Sequence, residues 1–206
     1  MAVIGPRRFV TRDGRALAVR TLGGGDVDAK ARYLGEDIGS HEWEVSEPDE
    51  VELDEERLRV KILERMEHPD RLSLGAFDGQ RLVADLGFRG GERRRVAHHG
   101  DFGVGVLPGW RGVGVGRELI LTMLDWAAAH PRLEWIGLGV WASNAGAIGL
   151  YRAIGFREVH RRARYFRIGE GRYEDDVRMA LWVKAGLAPE GMGTYAPRGR
   201  REAEAR

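Results

Sequence analysis

The sequence contains no cysteine among its 206 residues. It therefore has no disulfide, no thiolate metal ligand and no cysteine nucleophile, and a reducing cytoplasm would suit it. No apolar run approaches the roughly 18 residues that a membrane-spanning helix needs. The segment Met1–Arg20 is basic but lacks the apolar stretch of a secretion signal. We therefore expect a cytoplasmic protein with no membrane partner and no metal site.

Lysine is also rare, since only Lys30, Lys61 and Lys184 occur. Arginine carries almost all of the positive charge, so arginine clusters are weak evidence for any particular partner. The sequence contains neither a recognition helix nor the aromatic pattern of an RNA-binding sheet. The basic residues therefore do not favour nucleic acid as a partner.

Positive charge is missing altogether from one stretch. Between Glu36 and Glu56 there are eleven acidic residues and no Lys or Arg, although the net charge of the chain is +1. We call residues 36–56 the acidic strip. A basic body with one acidic strip suggests a polyanionic cofactor and a cationic substrate. The alternative is that Glu50–Glu56 favour the N-terminus of the next helix and that the rest is solvated.

The apolar pattern alternates between a helical period and a period of two. Two alternating runs flank Asp78-Gly79, a strong two-residue hairpin turn. The predicted order is β-α-α-β-β-β-α-β-α-β-β, an α/β protein with a mixed, largely antiparallel sheet flanked by helices. We expect one domain at 14–184, between a loose N-terminal arm at 1–13 and a C-terminal tail at 185–206 that is flexible or contacts a partner.

A glycine-rich segment, Arg111–Gly116, joins a predicted strand to a predicted helix. The start of a helix presents unpaired N–H groups and a partial positive charge, which suit phosphate. Alternating glycines let an anion approach the backbone, and Arg111 and Arg117 can add charge-assisted bonds. The segment lacks the Gly-Lys-Ser/Thr of a P-loop and the G-x-G-x-x-G spacing of a Rossmann turn. Spacing alone leaves the ligand open, and a plain turn is an alternative.

A second motif lies downstream. Val140–Phe156 follows the pattern V-x-x-x-N-x-x-A-I-x-L-Y-x-x-x-G-F. Val104–Gly116, which ends with the glycine-rich segment, follows V-x-V-x-P-x-x-R-G-x-G-x-G. Together the two motifs closely resemble the GNAT N-acetyltransferase superfamily. The later pattern Gly171-x-Tyr173-x-Asp175, followed by Met179, resembles the bacterial branch that includes amino-acid and ribosomal-protein acetyltransferases. The resemblance covers roughly Ala16–Val183 and is sharpest over Phe102–Phe156. It implies a GNAT-like fold, acetyl-CoA as the acetyl donor, and direct attack by a primary amine without an acyl-enzyme.

The resemblance also implies which residues hold the cofactor. Main-chain groups of one strand hold the pantetheine and thioester, the glycine-rich segment binds the pyrophosphate, and an amide side chain anchors the pantetheine. The implied residues are Val104, Gly105, Val106, Arg111, Gly112, Val113, Gly114, Val115, Gly116, Arg117, Asn144 and Tyr151. Plain core packing is the alternative for Val104 and Val106, and a helix cap is the alternative for Asn144.

Tyr151 is the predicted general acid. A thiol leaving group has a pKa of about 8.5, whereas a tyrosine near 10 stays protonated at neutral pH and can donate to the departing sulfur. The alternative is a structural tyrosine on an amphipathic helix. The general base stays open: His99 or Asp101 could act through a water, or both could be exposed strand residues.

The resemblance places the acceptor against the first two helices and their connection, which here is the acidic strip. Glu42 and Trp43 are the predicted acceptor-binding residues. Amino-acid derivatives, polyamines and protein N-termini all qualify as cationic amines, so the acceptor is a small molecule or a protein N-terminus, and a homodimer is compatible with the sequence. A different class also stays open, a GNAT-like module that binds acetyl-CoA without catalysis or that serves as an interaction protein.

Overall fold

The computed structural model describes residues 3–37, 43, 45–51 and 53–198. Its strands are β1 (Arg7–Val10), β2 (Ala16–Thr21), β3 (Arg71–Asp78), β4 (Arg81–Gly90), β5 (His99–Val106), β6 (Trp135–Trp141), β7 (Arg157–Gly169) and β8 (Arg172–Trp182). Its helices are α1 (Val27–Asp37), α2 (Glu55–Glu67), α3 (Val115–Ala129) and α4 (Ala145–Ile154). These elements confirm the predicted α/β class.

The chain divides into two compact units. The first comprises Met1–Arg89 with Gly103–Leu121, and the second comprises Gly90–Phe102 with Thr122–Arg206. The strand order is β1-β2-β3-β4-β5 in the first unit and β5-β6-β8-β7 in the second, because β5 contributes residues to both. The pairs β1–β2, β2–β3, β3–β4, β6–β8 and β7–β8 are antiparallel, and β5 runs parallel to β6. This confirms the largely antiparallel arrangement.

The β3–β4 hairpin has a two-residue turn at Gly79-Gln80, one residue later than the predicted Asp78-Gly79, because Asp78 still pairs with Arg81. Gly79 has a φ of +58°, which lies in the left-handed region that glycine adopts at little cost. Successive residues from Leu72 to Phe77 are buried, so both faces of β3 are covered. This hairpin is the centre of the core of the first unit.

The two faces of β6 differ in character, because successive side chains of a strand alternate. Ile136, Leu138 and Val140 are buried on one face. We call the opposite face the glycine face. Its β6 residues are Trp135, Gly137, Gly139 and Trp141. The residues paired with them belong to the same face and are His99 and Asp101 of β5 and Asp176, Arg178, Ala180 and Trp182 of β8. The parallel β5–β6 ladder runs from His99↔Trp135 to Asp101↔Gly137.

The strand β1 corrects the expectation of a loose N-terminal arm. Residues Arg7–Val10 pair with Val19–Ala16 of β2, and Thr11 closes the turn by donating its N–H to the Arg15 carbonyl at 2.9 Å. The strand is mostly exposed. Because main-chain bonds rather than a buried face hold β1, its sequence shows no apolar alternation that could reveal it.

Part of the C-terminal tail packs on other elements of the second unit, to which it belongs. Thr194 forms a parallel bridge with Trp182, and the buried Tyr195 donates its hydroxyl to Asp125 of α3 at 2.8 Å. Residues 199–206 lie outside the described part of the chain. Among the helices that the structure describes, none is long and apolar enough to cross a membrane.

Candidate active site

The glycine-rich segment Arg111–Gly116 leads into α3 through two left-handed residues. Gly112 has a φ of +74° and Gly114 a φ of +101°, and both angles are costly for other residues. The Glu118 N–H donates to the Gly114 carbonyl at 3.0 Å, which makes it an early helical hydrogen bond. The amides of the first turn have no carbonyl one turn earlier within the helix, so they can donate to an anion.

Neighbouring groups of the first unit hold this segment in place. The Arg12 N–H donates to the Val113 carbonyl at 3.0 Å, and the Arg15 guanidinium donates to the Gly109 carbonyl at 3.0 Å. Arg111 donates through Nε to the Val106 carbonyl at 2.8 Å, and Arg117 is exposed. The turn between β1 and β2 therefore fixes a segment whose own glycines leave it free to bend.

The end of β5 provides half-buried main chain. Val104, Gly105 and Val106 are neither fully buried nor exposed. A Cβ on Gly105 would collide with the Tyr33 hydroxyl of α1. A glycine inside a strand is the sequence signal of such a close approach, and sequence reasoning did not use it to find Tyr33.

Tyr33 belongs to a buried polar cluster. Its hydroxyl donates to Asp37 Oδ2 at 3.3 Å, and Lys30 forms an ion pair with Asp85 of β4. Burial raises the pKa of Tyr33 far above its usual value, and the carboxylates of Asp85 and Asp37 raise it further. The hydroxyl therefore stays protonated beside the Gly105 backbone.

We expect the substitution Gly105→Ala to destabilise the protein by about 1–3 kcal/mol, because the added methyl group overpacks the site against the Tyr33 hydroxyl. Chemical denaturation measures this cost. Gly103→Ala is the matched control, since a Cβ there meets no atom within 4 Å. Tyr33→Phe removes the colliding oxygen, so it should reduce the cost of Gly105→Ala. Equal stabilities for Gly105→Ala and Gly103→Ala would contradict the close approach.

In the second unit, α4 carries the downstream motif. Asn144 caps the helix, since its Oδ1 accepts the Ala147 N–H at 3.0 Å. At the other end Gly155 has a φ of +123°, and its N–H donates to carbonyls of the last turn. The cap gives Asn144 a structural role, and its contact with a cofactor stays a prediction.

Tyr151 lies on the buried side of α4. Its ring makes edge contacts with Phe102 of β5 and with Phe156, each at 6.0 Å between ring centres. Burial raises the pKa of Tyr151 to about 12. The phenol is therefore protonated at neutral pH, the state that a general acid requires.

This pKa has a consequence for stability at high pH. Tyr151 titrates near 10 when unfolded and near 12 when folded, so its contribution is complete below pH 10 and is lost as pH rises through 12. The unfolding free energy of the wild type should fall by about 2–3 kcal/mol relative to Tyr151→Phe between pH ~9 and ~12. Chemical denaturation across this range measures the difference. Tyr165→Phe, at a half-exposed tyrosine of β7, is the control for the loss of a tyrosine hydroxyl outside the core. A constant difference between wild type and Tyr151→Phe would refute the prediction.

The two candidate bases lie on the glycine face. His99 stacks on Trp135 with 4.1 Å between ring centres, and burial, followed by the charge of His98, lowers the pKa of His99. Asp101 is exposed, accepts a hydrogen bond from Arg178 at 2.5 Å, and lies over Gly137. His99 is thus committed to an aromatic stack and Asp101 to an ion pair. A part of either residue in catalysis stays a prediction.

The predicted acceptor residues are only partly described. Glu42 lies outside the described residues, and Trp43 is half-buried. Sequence reasoning missed Asp176 of β8, which is 1% exposed and lies against Gly139 on the glycine face. Gly139 within β6 was the available signal, because glycine inside a strand often marks a close contact.

Residues 37–156 match the family model described as the acetyltransferase (GNAT) family. The chain belongs to this family. It is 34% identical over 100 residues to the N-alpha-acetyltransferase RimI of Mycobacterium tuberculosis, covering 48% of this chain and 61% of that protein. It is 33% identical over 107 residues to the L-amino acid N-acetyltransferase AaaT of Escherichia coli, covering 52% of this chain and 65% of that protein. The chain thus spans less than two thirds of either relative.

A solved structure supports the fold independently. The acetyltransferase of Salmonella typhimurium determined with its cofactor acetyl-CoA superposes with a TM-score of 0.71 at 19% identity. The match covers 85% of this chain and 98% of that one. At this identity the comparison establishes the fold alone. The GNAT fold implied by the two motifs is therefore confirmed.

Proposed function

We propose that this GNAT protein is an acetyl-CoA-dependent N-acetyltransferase that transfers the acetyl group directly to a primary amine. The observation that carries the proposal is Tyr151, buried and protonated on the helix that follows the family's asparagine cap. Membership of the family and the left-handed glycines before α3, whose first-turn amides can donate to an anion, support acetyl-CoA as the donor.

In the proposed reaction, different segments of the chain bind the cofactor and transfer protons. The amides at the start of α3 bind the pyrophosphate, and the main chain around Gly105 holds the pantetheine. The amine lone pair attacks the thioester carbonyl, a C–N bond forms, and the C–S bond breaks as the tetrahedral intermediate collapses. Tyr151 donates its proton to the departing sulfur, and the nitrogen loses a proton to a base. No acyl-enzyme forms, which is compatible with the absence of cysteine.

The acceptor is an amine that carries positive charge before it reacts. The acidic strip supports this choice, because a segment rich in carboxylates and free of Lys and Arg attracts cations. The relatives RimI and AaaT are named for acetylating α-amino groups and L-amino acids, which supports an amino acid or a protein N-terminus.

Thiol release from acetyl-CoA tests the proposal. Purified protein is mixed with acetyl-CoA and a panel of amines that includes amino-acid amides, short peptides and polyamines, while thermal stabilisation by CoA is measured in parallel. We expect CoA to stabilise the protein and at least one amine to release thiol faster than buffer. Stabilisation without thiol release across the panel would favour the alternative, a module that binds acetyl-CoA without catalysis.

A further inference from the structure

Asp176 has one carboxylate oxygen whose bonding is unexplained. The residue is 1% exposed, and its Oδ2 accepts hydrogen bonds from Nε and Nη2 of Arg162 at 2.8 and 2.5 Å. Its Oδ1 is buried and has no hydrogen-bond partner among the described residues. A buried carboxylate oxygen without a donor is costly, so such an atom requires an explanation.

A glycine lets this oxygen lie directly against the backbone of β6. Gly139 of β6 is exposed on the glycine face. A Cβ there would lie 2.7 Å from Asp176 Oδ1 and 2.9 Å from Arg178 Nη1. The carboxylate of Asp176 and the guanidinium of Arg178 therefore fill the space that a side chain at position 139 would take. Arg178, anchored by Asp101, thus places a cation over Gly139 near this oxygen.

Trp141 lies next to the same carboxylate. It pairs directly with Asp176 across β6 and β8, and its ring reaches over β8 to stack on Phe166 of β7 with 4.2 Å between ring centres. Its indole Nε1–H is also buried without a hydrogen-bond partner among the described residues. One free donor and one free acceptor thus belong to directly paired residues, and they do not satisfy each other.

We propose that Asp176, Trp141 and Gly139 bind the α-amino-acyl end of the acceptor, an inference that rests on the proposed acetyltransferase function. The acceptor's ammonium donates to Asp176 Oδ1 over Gly139, and the oxygen of its adjacent carbonyl or carboxylate accepts from Trp141 Nε1. The guanidinium of Arg178 occupies this space in the free protein, and it moves aside for an ammonium of the same charge.

This arrangement separates two classes of amine. A protonated polyamine has donors only, so it would leave the Trp141 N–H buried and unpaired. An amino acid or a peptide N-terminus has a donor and an acceptor on neighbouring atoms. A site built to bond both groups rejects a ligand that lacks one of them. The acceptor class is therefore α-amino-acyl compounds and not polyamines.

Thiol release with three acceptors tests the assignment: an amino-acid amide, a simple alkylamine and spermidine. In the wild type, the amino-acid amide should have the highest kcat/KM. Trp141→Phe should raise the KM of the amide about tenfold, the effect of one lost hydrogen bond, and leave the alkylamine unchanged. Asp176→Asn should lower kcat/KM for the amide roughly 10- to 100-fold, because a charge-assisted bond is lost.

Two matched variants separate binding from folding. Trp182→Phe alters another tryptophan of the glycine face and should leave the KM of the amino-acid amide unchanged. Arg162→Gln removes the partner of Asp176 Oδ2 but keeps the carboxylate, so it should lower kcat/KM far less than Asp176→Asn. Thermal stabilisation by CoA verifies that each variant is folded.

The outcomes distinguish this inference from the proposed function. If spermidine is the best acceptor, or if Trp141→Phe slows the amide and the alkylamine equally, the site is overturned while the acetyltransferase stands. If Arg162→Gln matches Asp176→Asn, the carboxylate serves folding and the inference fails. If no amine releases thiol although CoA binds, the proposed function fails first.

Discussion

Changing Tyr151 to phenylalanine should lower kcat by roughly 100- to 10,000-fold, the usual effect of removing a general acid. Only the hydroxyl is lost, so the ring keeps its edge contacts with Phe102 and Phe156. Without a proton donor the sulfur must leave as a free thiolate, which raises the barrier to collapse of the intermediate. The affinity for CoA should stay within about threefold of wild type, because the hydroxyl acts mainly in the transition state.

Steady-state thiol release and calorimetric titration with CoA measure the two effects separately. Tyr165→Phe is the matched control, since Tyr165 is half-exposed on β7 and has no assigned role in the reaction. An unchanged kcat in Tyr151→Phe would remove the acid role. A parallel loss of CoA affinity would instead make Tyr151 a cofactor-binding residue.

Replacing Gly112 with valine should weaken CoA binding by about ten- to a hundredfold. Gly112 has a φ of +74°, and a β-branched residue pays on the order of 1–3 kcal/mol to hold such an angle. A Cβ at this position meets no atom within 4 Å, so the substitution creates no collision inside the protein. The loss would therefore come from the backbone shape that presents the first-turn amides and from obstruction of the phosphate.

Calorimetric titration with CoA measures this loss. Gly109→Val is the matched control, because Gly109 also has open space around its missing Cβ but does not have a left-handed φ. Gly112→Asn should bind better than Gly112→Val, since asparagine tolerates left-handed angles. If Gly112→Val binds CoA as tightly as wild type does, the segment is a plain turn and the pyrophosphate is held elsewhere.

The elements with strong apolar periods could be predicted from the sequence. The β3–β4 hairpin, the four helices and the later strands follow local patterns of burial and turn residues, so they emerge from short windows. The strand β1 could not be predicted this way. It buries little, and it depends on main-chain bonds to β2 and on the turn at Thr11–Arg15.

The sequence by itself determined the local features on which the proposed donor site rests. The glycines, the helix start and the arginines that suit a phosphate lie within Arg111–Arg117, and Asn144 and Tyr151 share one short helix. Such features are local, because a helix end and a left-handed glycine need only their immediate neighbours.

Only the tertiary structure decided which groups meet at the proposed acceptor site. Asp176, Gly139 and Trp141 lie on two strands, and their meeting depends on the β6–β8 register, since a shift of one residue would turn each side chain to the other face. The approach of Tyr33 to Gly105 likewise depends on how α1 packs on β5. Strand register and helix packing arise from the whole core, so no short stretch of sequence encodes them.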